Sequence, residues 1–105
     1  MVSETQYLLI CLAEECSEVT KTCSKILRFG MDSCHPKDHK TTNKNNLVYE
    51  LNDLMSIVEM LVDRGIIPAK WEDYKQRIEK SEKVLRYMND REQEYKVRCG
   101  PVKKD

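Results

Sequence analysis

The sequence predicts an all-α fold, an antiparallel bundle of about three main helices that is completed by oligomerisation. Apolar residues recur at steps of three and four along three long stretches, which is the spacing of an amphipathic helix. Only three Gly and three Pro interrupt the 105 residues, and 40% of the residues are hydrophobic. A chain of this length forms one domain, residues 1–105. Its hydrophobic core is thin, so self-association as a homo-oligomer, a dimer or a tetramer, is expected.

The first helix is predicted to run from Glu4 to Phe29. Ser3, with Gln6 three residues later, forms a capping-box pattern at its start. Gly30 suits a C-terminal cap, and residues 31–42 lack periodicity, which predicts an irregular loop. The apolar positions of this helix are Leu8, Cys11, Leu12, Val19, Cys23 and Ile26.

Two further helices follow. The second is predicted to begin near Asn43 and to stop before Gly65, and the third to begin with Pro68 in its first turn and to reach about Val97. Residues 99–105 are predicted to form a basic tail. The apolar positions are Leu47, Leu51, Leu54, Ile57, Val58, Leu61 and Val62 in the second helix, and Trp71, Tyr74, Ile78, Leu85, Met88 and Tyr95 in the third.

The charge balance argues against several classes of partner. Eighteen Lys and Arg offset eighteen Asp and Glu, so the chain as a whole has no electrostatic attraction to nucleic acid or to an anionic membrane. The longest apolar run, residues 7–13, is far shorter than the roughly 20 residues that span a bilayer, and the N-terminus lacks the pattern of a cleavable leader. A cytoplasmic location is expected.

The five cysteines do not form a disulfide pattern, because their number is odd and no CxxC pair occurs. Reduced thiols are expected. Cys34, His35 and His39 lie close together in the sequence, but their spacing fits no standard zinc finger. The role of this loop and of its two histidines is left open.

Acidic residues fall on the apolar stripes of the first two helices. Glu15 continues the stripe of the first helix, and Glu18 follows three residues later. Glu50 lies among the inward-facing leucines of the second helix, and Asp53 again follows three residues later. Four carboxylates facing one another inside a bundle repel strongly unless a divalent cation binds them.

All-oxygen ligation favours Mg²⁺, with Mn²⁺ as a substitute, and such ions keep several waters and engage substrate phosphates. The sequence therefore predicts phosphate-ester or anhydride chemistry. The alternative is that the acids are solvated or pair with Lys21 and Lys25 along the helices, and it concerns Glu14, Glu15, Glu18 and Asp53. We favour the metal site, because the acidic pair occurs twice at the same spacing.

The same residues carry a family resemblance. Residues 14–18 match an EExxE motif, residues 50–53 match the ExxD motif that follows it, and Arg28, Phe29 and Gly30 close the first helix between them. Over most of residues 7–88 the chain resembles small bacterial and phage members of the MazG-like all-α nucleoside triphosphate pyrophosphohydrolases. It departs from them in the long separation of Glu18 from Glu50 and in Asn46, which stands where an Arg is common.

The resemblance implies a cytoplasmic enzyme of a bacterial or phage-infected cell that converts a nucleoside triphosphate to the monophosphate and pyrophosphate. Glu15, Glu18, Glu50 and Asp53 are then the magnesium ligands, and Glu14 acts with Glu15 on the metal or on the attacking water. Two rival functions are a phosphoribosyl-ATP pyrophosphohydrolase and a non-catalytic helical adaptor that presents its third helix to a partner protein.

Candidate substrate-binding residues lie on all three helices. Lys25 and Arg28 follow Glu18 toward the end of the first helix, where they can donate to phosphate oxygens. Asn52 lies within the ExxD motif. The remaining candidates, on the third helix, share one face: Lys80, Lys83 and Tyr87. Lys83 and Tyr87 resemble a lysine and a tyrosine of small phage-type members.

Overall fold

The computed structural model describes the backbone of residues 1–99 and the side chains of residues 1–93. It is mostly helical, as predicted, and its elements in chain order are α1 (Glu4–Phe29), β1 (Cys34–His35), β2 (Asp38–Thr42), α2 (Asn43–Asp63) and α3 (Tyr74–Cys99). The Tyr95 side chain and residues 100–105 of the predicted basic tail lie outside the described residues. In the described part of the chain, no helix has the length and apolar character needed to cross a bilayer.

Helix α1 has the predicted bounds because its two ends carry specific caps. The Ser3 hydroxyl accepts from the Gln6 backbone N–H at 3.1 Å, and the Gln6 side chain accepts from the Ser3 N–H at 2.8 Å. At the other end the backbone turns at Gly30, whose φ of 96° lies in the region that favours glycine. The capping box and the glycine together fix where the helix begins and ends.

Helices α1 and α2 pack against each other in antiparallel orientation. At one end the Asn43 side-chain amide donates to the Gly30 carbonyl at 3.0 Å, and at the other Arg64 forms an ion pair with Glu4. Leu8 and Leu61 are the apolar side chains that are fully buried among the described residues, each 2% exposed. The core is therefore as thin as the composition predicts. The contacts at the two ends fix the position of α1 along α2.

The connection between α1 and α2 differs from the prediction of an irregular loop. Its residues form a two-stranded antiparallel hairpin, in which Cys34 pairs with Thr42 and His35 with Asp38 across an irregular register. These strands carry no alternation of apolar and polar residues. β1 has only two residues, and the residues of β2 are mostly exposed. The sequence therefore lacked the signal by which a strand is usually predicted.

Helix α3 begins six residues later than predicted. Pro68 and Trp71 both precede it, so the prediction that they lie in its first turns was wrong. Asp73 caps the observed start: its carboxylate accepts from the Gln76 backbone N–H at 3.0 Å, and its carbonyl accepts from the Arg77 N–H. An aspartate cap competes successfully with a proline start because it satisfies a helix N–H that is otherwise unpaired.

The chain divides into two compact units, Met1–Ala69 and Lys70–Asp105. The first contains α1, the hairpin and α2, and the second contains α3. The predicted EExxE and ExxD motifs both fall within the first unit.

Candidate metal centre

Three of the four predicted ligands meet between α1 and α2. Glu15 comes from the middle of α1, and Glu50 and Asp53 come from one turn of α2. Each offers a carboxylate oxygen, and these three oxygens lie within 4.8 Å of one another. Glu15 and Glu50 are half-buried, whereas Asp53 is exposed. The cluster therefore lies near the surface, with Asp53 as its most exposed member.

Glu18, the fourth predicted ligand, is oriented differently. Its Oε1 accepts from the Lys21 ammonium at 3.3 Å, and its side chain is 46% exposed. This ion pair along α1 agrees with the alternative hypothesis, in which the acids pair with lysines of the helix and do not bind a metal. It applies to Glu18 and not to Glu15.

The three-carboxylate cluster concentrates negative charge between α1 and α2. Within the part of the chain that the structure describes, no ion pair joins a Lys or Arg to Glu15, Glu50 or Asp53. The pKa of Glu15 is raised above its ordinary value of 4.5, first by desolvation and then by the neighbouring carboxylates. Those neighbours are, in order of effect, Asp53, Glu50, Glu18 and Glu14.

The residues present fit a divalent cation of the hard type. Three carboxylate oxygens are enough to anchor Mg²⁺, which binds through few carboxylates and leaves its other positions to water and to substrate phosphates. Desolvation and mutual repulsion both make the ionised Glu15 costly, and a bound cation relieves both.

The raised pKa of Glu15 leads to a stability prediction for the metal-free protein. Because the pKa is higher in the folded chain than in the unfolded one, Glu15 costs stability once it ionises, that is, as the pH rises through its folded pKa. In EDTA at pH 7, Glu15→Gln is therefore expected to melt at a higher temperature than the wild type. At pH 4 the difference should shrink, since Glu15 is then largely protonated.

Glu59→Gln is the matched control for this measurement, because Glu59 is an exposed glutamate of α2 outside the cluster. Its melting temperature should follow that of the wild type at both values of pH. A Glu15→Gln protein that melts below the wild type in EDTA at pH 7 would contradict the prediction.

The other predicted site residues of the first unit lie at the surface. Glu14 is exposed on α1, and Lys25 is exposed near its end. The Arg28 guanidinium lies 4.9 Å from the centroid of the Phe29 ring. The Asn52 amide donates to the Val48 carbonyl at 2.9 Å, one turn back along its own helix. Of these residues, Lys25 lines a cavity.

The candidates on α3 belong to the second unit. All three are exposed, and they line two shallow surface grooves of that helix. Lys80 lies in one groove beside Arg77, and Lys83 and Tyr87 line the other with Arg86. This unit thus presents a basic face that also carries a phenol hydroxyl.

Sequence reasoning missed a cavity at the hairpin end of the first unit. It has a volume of about 320 Å³ and lies where the end of α1, the hairpin and the first turns of α2 meet. Nearby, the Cys34 Sγ lies 3.7 Å from the His39 Nδ1, while the His35 Nδ1 accepts from the Lys37 N–H. The two histidines are thus engaged with different partners. Finding the cavity required knowledge of the hairpin, which the sequence pattern did not give.

Comparison with known protein families, curated proteins and solved structures finds no match to this chain. The resemblance to the MazG-like enzymes therefore depends on the motif residues themselves.

Proposed function

We propose that this protein is a magnesium-dependent nucleotide pyrophosphohydrolase, which converts a nucleoside or deoxynucleoside triphosphate to the monophosphate and pyrophosphate. One observation supports it above all: Glu15, Glu50 and Asp53 bring three carboxylate oxygens within 4.8 Å of one another, and no Lys or Arg of residues 1–93 forms an ion pair with them. This donor set suits Mg²⁺, with Mn²⁺ as a substitute, and metals of this kind act on phosphate groups. The motif resemblance points to the same reaction.

In this proposal Glu15, Glu50 and Asp53 hold the metal, and Glu18 joins them by giving up its ion pair with Lys21. Bound magnesium supplies charge neutralisation for the phosphate oxygens and Lewis acidity toward water. Glu14, exposed next to Glu15, orients the attacking water and accepts its proton. One water adds across the anhydride between the α and β phosphates, so the monophosphate and pyrophosphate leave without a covalent enzyme intermediate.

Donors to the phosphate oxygens are proposed at the end of α1, where Lys25 and Arg28 are exposed. Lys80, Lys83 and Tyr87, which are exposed on α3, are separate candidates for binding phosphate. Ammonium, guanidinium and phenol groups all donate to phosphate oxygens, and the charged ones form the stronger bonds. We place Asn52 in a supporting role, since its amide is held by the Val48 carbonyl.

We further propose that the protein acts as a homo-oligomer, a dimer or a tetramer, in the cytoplasm of a bacterial or phage-infected cell. The support is the number of large apolar side chains that stay exposed, because burying apolar side chains against another subunit is favourable. On α1 and α2 they include Leu9, Ile10, Leu27, Val48, Tyr49, Leu51 and Met55, and on α3 Tyr74, Ile78, Leu85 and Met88.

The reaction is tested by the products. Purified protein is incubated with a panel of ribo- and deoxyribonucleoside triphosphates in Mg²⁺, and the products are separated by ion chromatography. Monophosphate and pyrophosphate in equal amounts are expected for at least one substrate. Diphosphate and phosphate would mean that a different bond is cleaved.

Absence of turnover with every triphosphate would contradict the proposal and favour one of two rivals. Turnover of phosphoribosyl-ATP would then identify the enzymatic rival, and inactivity on that substrate as well would favour a non-catalytic adaptor.

A further inference from the structure

The cavity at the hairpin end of the first unit combines polar and apolar lining groups. Asn46 from the first turn of α2 is half-buried, Phe29 contributes the aromatic ring that ends α1, and Lys25 adds a positive charge. The volume of about 320 Å³ lies at the lower end of the range of small-molecule sites, which is roughly 300–1,000 Å³. The cavity thus has the size and lining expected for one small, flat, polar ligand.

Hydrogen bonds made by Asn43 hold the cavity walls in place. Asn43 is 7% exposed, its amide donates to the Gly30 carbonyl, and its backbone N–H donates to the Ser33 carbonyl. These bonds tie the segment between α1 and the hairpin to the start of α2. Within residues 1–93, by contrast, the Asn46 side chain makes no hydrogen bond. It is a donor and acceptor pair at the cavity wall without a protein partner.

The cavity and the carboxylate cluster share one face of α2. Asn46 and Glu50 are four residues apart and therefore lie on the same face, separated by about 6 Å along the helix axis. On α1, Lys25 follows Glu18 by seven residues, two turns along nearly the same face. The cavity and the carboxylate cluster therefore lie next to each other along the α1–α2 pair, and Lys25 is at the cavity wall.

We propose that this cavity binds the nucleobase of the nucleotide whose phosphates reach the carboxylate cluster, and that Asn46 selects among bases. The inference rests on the proposed function. The separation of one helical turn suits a nucleotide, in which the base and the first phosphate lie on opposite sides of one sugar. The Asn46 amide matches a base edge that presents one donor and one acceptor side by side, and the Phe29 ring offers a surface for stacking.

Steady-state kinetics with Asn46→Leu tests the role of the amide, since leucine keeps the approximate size and removes both hydrogen-bonding groups. We expect KM for the preferred triphosphate to rise roughly tenfold, the loss expected for a neutral hydrogen bond or two, with kcat changed less than twofold. Preference among the four bases should weaken at the same time. The matched control is Asn45→Leu, because Asn45 is the adjacent asparagine, is exposed and lies outside the cavity lining; its kinetics should equal those of the wild type.

A binding measurement without turnover separates this inference from the proposed function. ¹⁵N-labelled protein in EDTA is titrated with each of the four deoxynucleoside monophosphates and followed by ¹H–¹⁵N spectra. Shifts should concentrate on residues 25–46, including the Asn46 side-chain amide, and should weaken in Asn46→Leu.

The two measurements fail in different ways. Monophosphate binding at residues 25–46 in a protein that hydrolyses no triphosphate supports the base site and overturns the pyrophosphohydrolase. Hydrolysis with the same KM and base preference in Asn46→Leu and Asn45→Leu, or shifts spread away from the cavity, overturns the base site and leaves the reaction standing.

Discussion

Glu50→Gln is expected to lower kcat/KM for the preferred triphosphate by about a thousandfold, equivalent to roughly 4 kcal/mol of transition-state stabilisation. Glu50 is half-buried, and its carboxylate oxygen lies in the cluster with those of Glu15 and Asp53. The substitution keeps the shape of the side chain and removes one negative charge from the metal-binding set. The measurement is initial-rate kinetics in saturating Mg²⁺, with pyrophosphate release as the readout.

Glu59→Gln provides the control, because it makes the same chemical change at an exposed position of the same helix. It should retain wild-type kcat/KM. Far-UV circular dichroism of both variants checks that the helices are intact. If Glu50→Gln hydrolyses the substrate within tenfold of the wild type, the carboxylate cluster is not the catalytic centre.

The bounds of α1 and α2 were predictable from the sequence because local signals determine their ends. The capping box of Ser3 and Gln6, together with the glycine after Phe29, gave both bounds of α1. The apolar periodicity also identified Glu15 and Glu50 as acids on apolar stripes, and the structure brings their carboxylates together. In both cases the information lies within a few residues along one helix, where spacing alone decides which side chains share a face.

The orientation of Glu18, the start of α3 and the hairpin were not predictable, because residue spacing does not tell which of several possible contacts forms. Glu18 has Glu15 three residues before it and Lys21 three residues after it, so both interpretations were compatible with the pattern; in the structure the lysine contact is made. Trp71 continued the apolar period of the third helix, but Asp73 supplies a better cap and the helix begins after it. The hairpin of β1 and β2 pairs two exposed segments, so no pattern of apolar residues indicates it.

Magnesium is expected to raise the thermal stability of the wild-type protein substantially. A ligand that binds the folded state alone adds about 2.7 kcal/mol at one hundred times its dissociation constant. For a domain of this size that corresponds to a rise in melting temperature of roughly 10–20 °C. The physical reason is that the cation removes the repulsion among Glu15, Glu50 and Asp53, which contributes to the raised pKa of Glu15 in the metal-free protein. Melting curves over a Mg²⁺ titration measure it.

Two controls separate coordination from general screening of charge. NaCl at matched ionic strength screens the carboxylates without binding between them, so it should give a much smaller shift. Glu50→Gln should lose most of the magnesium-dependent rise, whereas Glu59→Gln should keep it. An equal rise in NaCl, or an undiminished rise in Glu50→Gln, would show that the cluster does not bind the cation, and indifference to magnesium is what a helical adaptor predicts.

The pH dependence of the magnesium effect gives the sharpest form of this prediction. Magnesium binds the ionised carboxylate, so it competes with the proton for Glu15. Because the pKa of Glu15 in the metal-free protein lies above 4.5, protonation should weaken magnesium binding at a higher pH than an unperturbed glutamate would require. The magnesium-induced rise in melting temperature should therefore begin to decline, as the pH is lowered, before isolated glutamates protonate. In EDTA, protonation of Glu15 stabilises the fold instead. The melting temperatures measured with magnesium and in EDTA should therefore converge as the pH is lowered.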